Sequence, residues 1–212
     1  MAEAAGGRQV ARAVAPERPP HAADAVFTPA VRAAQARKGS AAGYADWAPA
    51  RDITPDLRAF IESRDSAYLA TASAQGQPYV QHRGGPPGFL RVLDPRTIAF
   101  ADFRGNRQFI TTGNLSENPH AFLFLMDYTR RRRIKIWGVA RVSDDRAVTA
   151  TLMPDDYRAR SEQAIVLTVT AWDANCAQHI PQKIAAADVA AALAERDARI
   201  AALEAELARL RG

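Results

Sequence analysis

Ala67-Tyr68-Leu69-Ala70-Thr71-Ala72-Ser73, Ala74-Gln75-Gly76-Gln77 and Pro78-Tyr79-Val80-Gln81-His82-Arg83 are three consecutive runs whose reading decides the fold. The outer two have strand composition, and the middle one carries turn residues around Gly76. Together they read as strand, turn, strand. The same punctuation recurs downstream. Phe89–Leu93, Asp94-Pro95-Arg96-Thr97 and Ile98–Phe103 read as a second hairpin. His120–Tyr128 and Arg132–Ser143 read as strands about Thr129-Arg130-Arg131, and Gln163–Trp172 as a last long strand. In Arg132–Ser143, Ile134, Ile136 and the small Gly138 alternate with Lys135, Trp137 and Val139. Phe109–Leu115 reads ambiguously, one reading being a short helix stopped before Pro119. Asp144 reads as the cap of a short helix through Leu152. Many short strands with few helices between them point to a small antiparallel barrel.

Upstream, the signals are helical. Thr28-Pro29 is an N-cap followed by a first-turn proline and Gly39 is a stop, predicting a helix over 29–38. Thr54-Pro55 repeats the start, and Leu57, Phe60 and Ile61 make an apolar stripe on a helix to about Arg64. Residues 1–25 carry Ala, Arg, Pro and Gly with few large apolar groups and read as a disordered leader. The Ala- and Arg-rich start weakly resembles a transit peptide, but Glu3, Glu17 and Asp24 argue against that reading. In the tail, Ala186, Val189, Leu193, Ile200, Leu203, Leu207 and Leu210 fall on a and d positions of a heptad, with Arg196 the one polar exception. This narrow stripe reads either as a coiled-coil seam for self-association or as a helix packed on its own barrel, the first being preferred. The expected division is leader and short helix over 1–50, barrel over 51–183 and C-terminal helix over 184–212.

Hydrophobic residues make up 48% of the 212, enough to bury a core. The net charge of +5 permits a polyanionic partner without requiring one. Cys176 is the only cysteine, which excludes an internal disulfide and fits a reducing, cytoplasmic setting. No run of about 18 apolar residues predicts a membrane span, and no apolar signal-peptide core is seen.

Two polar loops follow strands and carry the chemistry. Gly105-Asn106-Arg107-Gln108 offers free backbone N–H groups and a planar guanidinium, a place to hold a phosphate. Gln81-His82-Arg83-Gly84-Gly85 is the second. Two such loops on one small β-domain suggest a phosphorylated cofactor rather than a polymer. His82 and Arg83 occupy alternating strand positions and face opposite sides. Arg130 to Arg133 sit at a hairpin turn without interleaved aromatics, a solvated turn rather than a nucleic-acid patch. His82, His120, His179 and Cys176 share no metal-ligand spacing, and no Gly-x-Gly-x-x-Gly follows a strand.

These pieces occur in a recognisable order. Tyr68-Leu69-Ala70-Thr71 with Gly76-Gln77-Pro78-Tyr79, then Ile98-Ala99-Phe100 with Gly105-Asn106-Arg107, are followed by Glu117-Asn118-Pro119-His120 and by Arg132-Arg133-Ile134-Lys135-Ile136-Trp137-Gly138-Val139-Ala140. Over roughly residues 55–180 the chain resembles the pyridoxamine 5′-phosphate oxidase-like, FMN-binding split-barrel proteins. The resemblance implies a mainly β fold with flanking helices, a six-stranded antiparallel split β-barrel. It also implies a homodimer with FMN in two interface clefts. By position, the oxidase's strand along the flavin corresponds to Gln81, His82, Arg83, Gly84, Gly85 and Pro86. Its tyrosine-threonine pair falls on Ala101 and Asp102, and its serine-arginine-lysine phosphate clamp on Asn106, Arg107 and Gln108. Its flavin-contacting glutamine falls on Arg133.

The chain also departs from the oxidase pattern. The second clamp cation is Gln108, the lysine near the ring is replaced by Pro86, and the C-terminal Arg-Leu-His-Asp-Arg signature is absent. A true pyridoxamine phosphate oxidase is therefore not expected. Trp172, Asn175, Gln178 and His179 form a segment that could cover the flavin or dock on the barrel. Arg83 and His179 are the catalytic candidates, Arg83 by stabilising charge on a reduced ring and His179 as a proton donor or a hydrogen-bond donor to the ring. The expectation is an FMN-dependent oxidoreductase on a small molecule, with an electron donor such as NAD(P)H. The alternative is a non-catalytic or redox-sensing module for flavin, deazaflavin or haem. Nucleic-acid binding through the arginine run is a third, weaker reading.

Overall fold

Alternation along the strands decides which side chains turn inward and so builds one curved sheet. The computed structural model describes Ala23 and residues 26–175 and 177–211. The leader reading and Cys176 therefore lie outside the described residues. The strands are β1 (Ser66–Ala72), β2 (Pro78–Gly84), β3 (Arg91–Asp94), β4 (Thr97–Phe103), β5 (His120–Asp127), β6 (Arg132–Ser143) and β7 (Ser161–Asn175). All ladders are antiparallel and give the order β2-β1-β5-β6-β7-β4-β3. The sheet is open, with β2 and β3 at its edges. The resemblance implied six strands; the ladders join seven, because the four-residue β3 pairs with β4. Strand ends differ from the sequence reading by a few residues, most at β7, whose polar ends still pair with β4 and β6.

One sheet face forms the core. Leu69 of β1, Leu123 and Leu125 of β5, Ile134 and Ile136 of β6, and Ile165 and Leu167 of β7 are buried together with Phe100 of β4. Each such side chain contributes roughly 1.5–3 kcal/mol by leaving water. Gly138 is required by close approach, since a Cβ there would sit 2.6 Å from both the Leu167 side chain and the Thr168 carbonyl. The reverse face of β4 and β7 carries a smaller cluster of Ala99, Ala101, Ala164 and Val166. It is covered by α4 (Arg146–Thr151) and the Leu152 that follows it. The α4 cap is Asp145, one residue beyond the expected Asp144; its carboxylate accepts from the N–H of Ala147 and Val148.

The upstream helices form as their caps dictate. Helix α1 (Pro29–Lys38) runs from Thr28 to Gly39 but buries no residue. Helix α2 (Pro55–Glu62) starts at Thr54, whose hydroxyl accepts from Leu57 N–H at 3.2 Å. It ends two residues before Arg64 and buries Leu57, Phe60 and Ile61 on the core. The chain before α2 is tied to the sheet by an Ala50–Trp172 bridge. Helix α3 (Ile110–Glu117) resolves the ambiguous stretch, and α5 (Ala186–Arg211) is the tail. No residue of α5 is buried, which removes the reading of a helix packed on its own barrel. No helix among the described residues is long and apolar enough to cross a membrane.

Candidate functional site

The edge strand β2 approaches β4, next to the opposite edge, through side chains rather than a backbone ladder. Gln81 and Arg83 of β2 are register partners of Leu69 and Ala67, so they point to the core side. Asp102 of β4 is in line with Ile98 and Phe100 and points the same way. Arg83 Nη1 donates to Asp102 Oδ1, and both side chains are nearly buried, at 11% and 13% exposed. Gln163 Nε2 donates to Asp102 Oδ2 at 2.9 Å and to Thr112 Oγ1 at 2.8 Å. Thr111 Oγ1 donates to Gln81 Oε1 at 2.9 Å, and Asn114 Nδ2 to Thr71 Oγ1 at 3.0 Å. Helix α3 is thus pinned to β2, β1 and β7 by polar contacts. Arg83 Nε is buried without a hydrogen-bond partner.

Above this network lies the phosphate-loop candidate. Arg107 and Phe109 both take left-handed backbone conformations, φ 59° and 51°. Such values are uncommon for residues with a Cβ and are held here by the surrounding loop. Asn106 Oδ1 accepts from Gln108 N–H at 3.2 Å. Helix α3 starts at Phe109 with no side-chain cap, leaving its first N–H groups open. Arg107 Nε lies 3.1 Å from Glu162 Oε1, and Arg104 Nε lies 3.8 Å from the same oxygen. Two guanidiniums share one carboxylate, so the loop keeps net positive charge.

Two adjoining depressions unite these residues. One, of about 50 Å³, is lined by Gln81, Arg83, Asp102, Asn106, Arg107 and Gln108 along with Thr111, Thr112 and Glu162. The other, of about 200 Å³, is bordered by Gln81 to Gly84, Phe89 and Phe100 to Phe103. Neither reaches the roughly 300–1,000 Å³ of a drug-sized ligand pocket. Gly85 stands where a Cβ would meet the Phe89 side chain at 2.7 Å.

The structure therefore brings Gln81, Arg83, Gly84, Asp102, Asn106, Arg107 and Gln108 together. His82 borders the second depression but packs its ring on Tyr68 on the outer sheet face, opposite to Arg83 as the alternation required. Ala101 is buried against the α4 layer, so its methyl group faces away from Asp102. Arg133 stands on the outer face, in register with Met126 and with Asn175 backbone. Trp172 donates its Nε1 to Asp52 carbonyl at 3.0 Å and packs on the main core. Gln178 and His179 are exposed, on a segment held to the β5–β6 turn by Arg131 bonds to the Ile180 and Ala177 carbonyls. Arg133, Trp172, Gln178 and His179 do not line either depression within one chain. Glu162, Gln163, Thr111 and Thr112 were missed. A signal existed for Gln163, a polar residue two positions before Ile165 and so on the inward side of the apolar run Ala164 to Leu167.

The family model for pyridoxamine 5′-phosphate oxidase matches residues 53–176. That is more than half of the chain, and the chain belongs to this family. Among solved structures, the HupZ protein of Group A Streptococcus is 16% identical with a TM-score of 0.48, covering 62% of this chain and 99% of that one. An FMN-binding protein from Syntrophomonas wolfei is 14% identical with a TM-score of 0.41, covering 56% and 83%. An F420 reductase is 19% identical with a TM-score of 0.40, covering 54% and 93%. No curated protein matches the chain.

Proposed function

We propose that this chain is a flavin-binding protein that holds FMN between two copies of itself and acts as an oxidoreductase on a small molecule. One observation carries the reading. A loop with Arg107 and the uncapped start of α3 opens beside Gln81 and Arg83 in a single depression. Open helical N–H groups and a guanidinium suit a dianionic phosphate. The orphaned Arg83 Nε leaves one further donor unused beneath them. The donor set fits a phosphate, which would compete with Glu162 for Arg107.

In this reading Arg107, Asn106 and the first N–H groups of α3 bind the phosphate, and Gln81 and Gly84 border the ring. Bound flavin supplies the redox chemistry, and the protein supplies orientation and electrostatics. Arg83 is already neutralised by Asp102, so its part is to fix the cleft wall rather than to carry free charge. The small size of each depression supports completion by a second copy. So does the outer face of β2, β1, β5 and β6, which exposes Tyr68, Val80 and Val139 beside Phe122, Phe124 and Trp137. A contiguous apolar sheet face of this kind marks an association surface. Arg133 lies on that face and would reach the partner's cleft.

The test is the absorption spectrum of the purified protein, with mass spectrometry of the heat-released ligand. Bands near about 370 and 450 nm with released FMN are expected. Arg107→Ala should weaken FMN binding about tenfold or more, the worth of a charge-assisted bond. A colourless protein that also refuses added FMN overturns the reading. Flavin held without turnover of NAD(P)H would instead assign a non-catalytic module.

A further inference from the structure

The apolar stripe of α5 is left uncovered by the described residues of the chain. Val189, Leu193, Ile200, Leu203, Leu207 and Leu210 are between 42 and 78% exposed, although they share one face. An isolated helix gains nothing from such a stripe, and proteins seldom leave one uncovered. The flanking charges say what covers it. With Leu193, Ile200 and Leu207 at a, the g positions hold Arg199 and Glu206 and the e positions hold Asp197, Glu204 and Arg211. In a parallel pair the g residue of one helix lies beside the next e residue of the other. Two copies in register then place Arg199 beside Glu204 and Glu206 beside Arg211, on both flanks, all of opposite sign.

The antiparallel alternative sets g against g and e against e. With Ile200 facing Leu203, Arg199 and Glu206 attract but Asp197 meets Glu204, and the attraction is cancelled. That arrangement also sets Arg196 against Leu207. In the parallel pair every apolar layer meets itself, and the two Arg196 side chains share one polar layer. A single polar core position is the usual device for fixing register at some cost in stability.

We propose that α5 forms a parallel, in-register, two-stranded coiled coil with α5 of a second copy of this chain. This does not depend on what the barrel binds. The test uses the full chain with Cys176→Ser and a single new cysteine. Leu207→Cys should oxidise to a disulfide-linked dimer, whereas Glu195→Cys, on the outer side of the helix, should link at least tenfold more slowly. Arg196→Leu should tighten self-association, seen as a lower dissociation constant by analytical ultracentrifugation. Two outcomes overturn the proposal. One is a disulfide between Leu207→Cys and Arg196→Cys chains without the Leu207 homodimer, which means an antiparallel pair. The other is equal or absent linking at both single sites, which means no self-pairing. Glu195, Arg196 and Leu207 are exposed, so these helix substitutions leave the barrel fold intact.

Discussion

The barrel and α5 present similar apolar residues in opposite states. Leu123 in β5 is 0% exposed and Leu203 in α5 is 42% exposed. The barrel's strands turn every second residue onto a common core, so one chain completes the burial. The helix presents its stripe at a heptad spacing, and none of the described residues buries it. The difference teaches that the barrel core is buried by the chain's own strands, whereas the α5 stripe is left exposed by the described residues.

The largest expected effect is a direct trial of that contrast. Leu123→Ala should cost roughly 2–5 kcal/mol in urea unfolding, through lost transfer energy and the cavity left behind. Leu203→Ala should leave the barrel transition within about 0.5 kcal/mol and should act on self-association instead. A large loss from Leu203→Ala in the barrel transition would show that α5 does belong to the barrel core and break the comparison.

A second trial asks whether charged groups obey the same division. Arg83 and Asp102 are nearly buried, whereas the Arg107 side chain is 53% exposed and its partner Glu162 25%. Asp102→Ala strands a buried guanidinium and should cost about 3 kcal/mol. The double change Arg83→Met, Asp102→Leu should recover most of that loss, since a packed apolar pair replaces the ions. Glu162→Ala should cost at most about 1 kcal/mol and should free Arg107 for a phosphate. Equal losses at the two pairs would erase the distinction between the inner seam and the outer loop.

Legibility in the sequence divides along the same line, between local and distant causes. Helices α1 and α2 were legible because Thr28-Pro29 and Thr54-Pro55 state their starts in adjacent residues. The strands were legible because alternation is a local pattern. Helix α3 was ambiguous because it is held by Thr111 and Asn114 reaching Gln81 and Thr71, not by an apolar stripe. The clamp loop was legible as Gly105 to Gln108, but its counter-ion was not, since Glu162 arrives from a strand far along the chain. The Arg83–Asp102 pair was hidden for the same reason. Each residue was named singly, and only the curvature of the sheet makes them meet.

The smallest expected effect lies at Asp94, an exposed residue whose partners are nevertheless local. Arg96 N–H donates to its Oδ1 at 2.7 Å. That bond, with a second from Thr97, holds the carboxyl below its ordinary value of 3.8. Since the folded value is the lower one, the stabilisation is present above the unfolded value and is lost as pH falls through the folded one. Wild type should therefore be slightly more stable than Asp94→Asn at pH 5, and the difference should shrink progressively below about pH 4. Urea midpoints of the two proteins across that range check it. A difference that stays constant with pH would mean that the turn is held by its shape and not by the carboxylate. Exposure alone would then no longer separate residues that look outward for a partner, as in α5, from those that find one beside them.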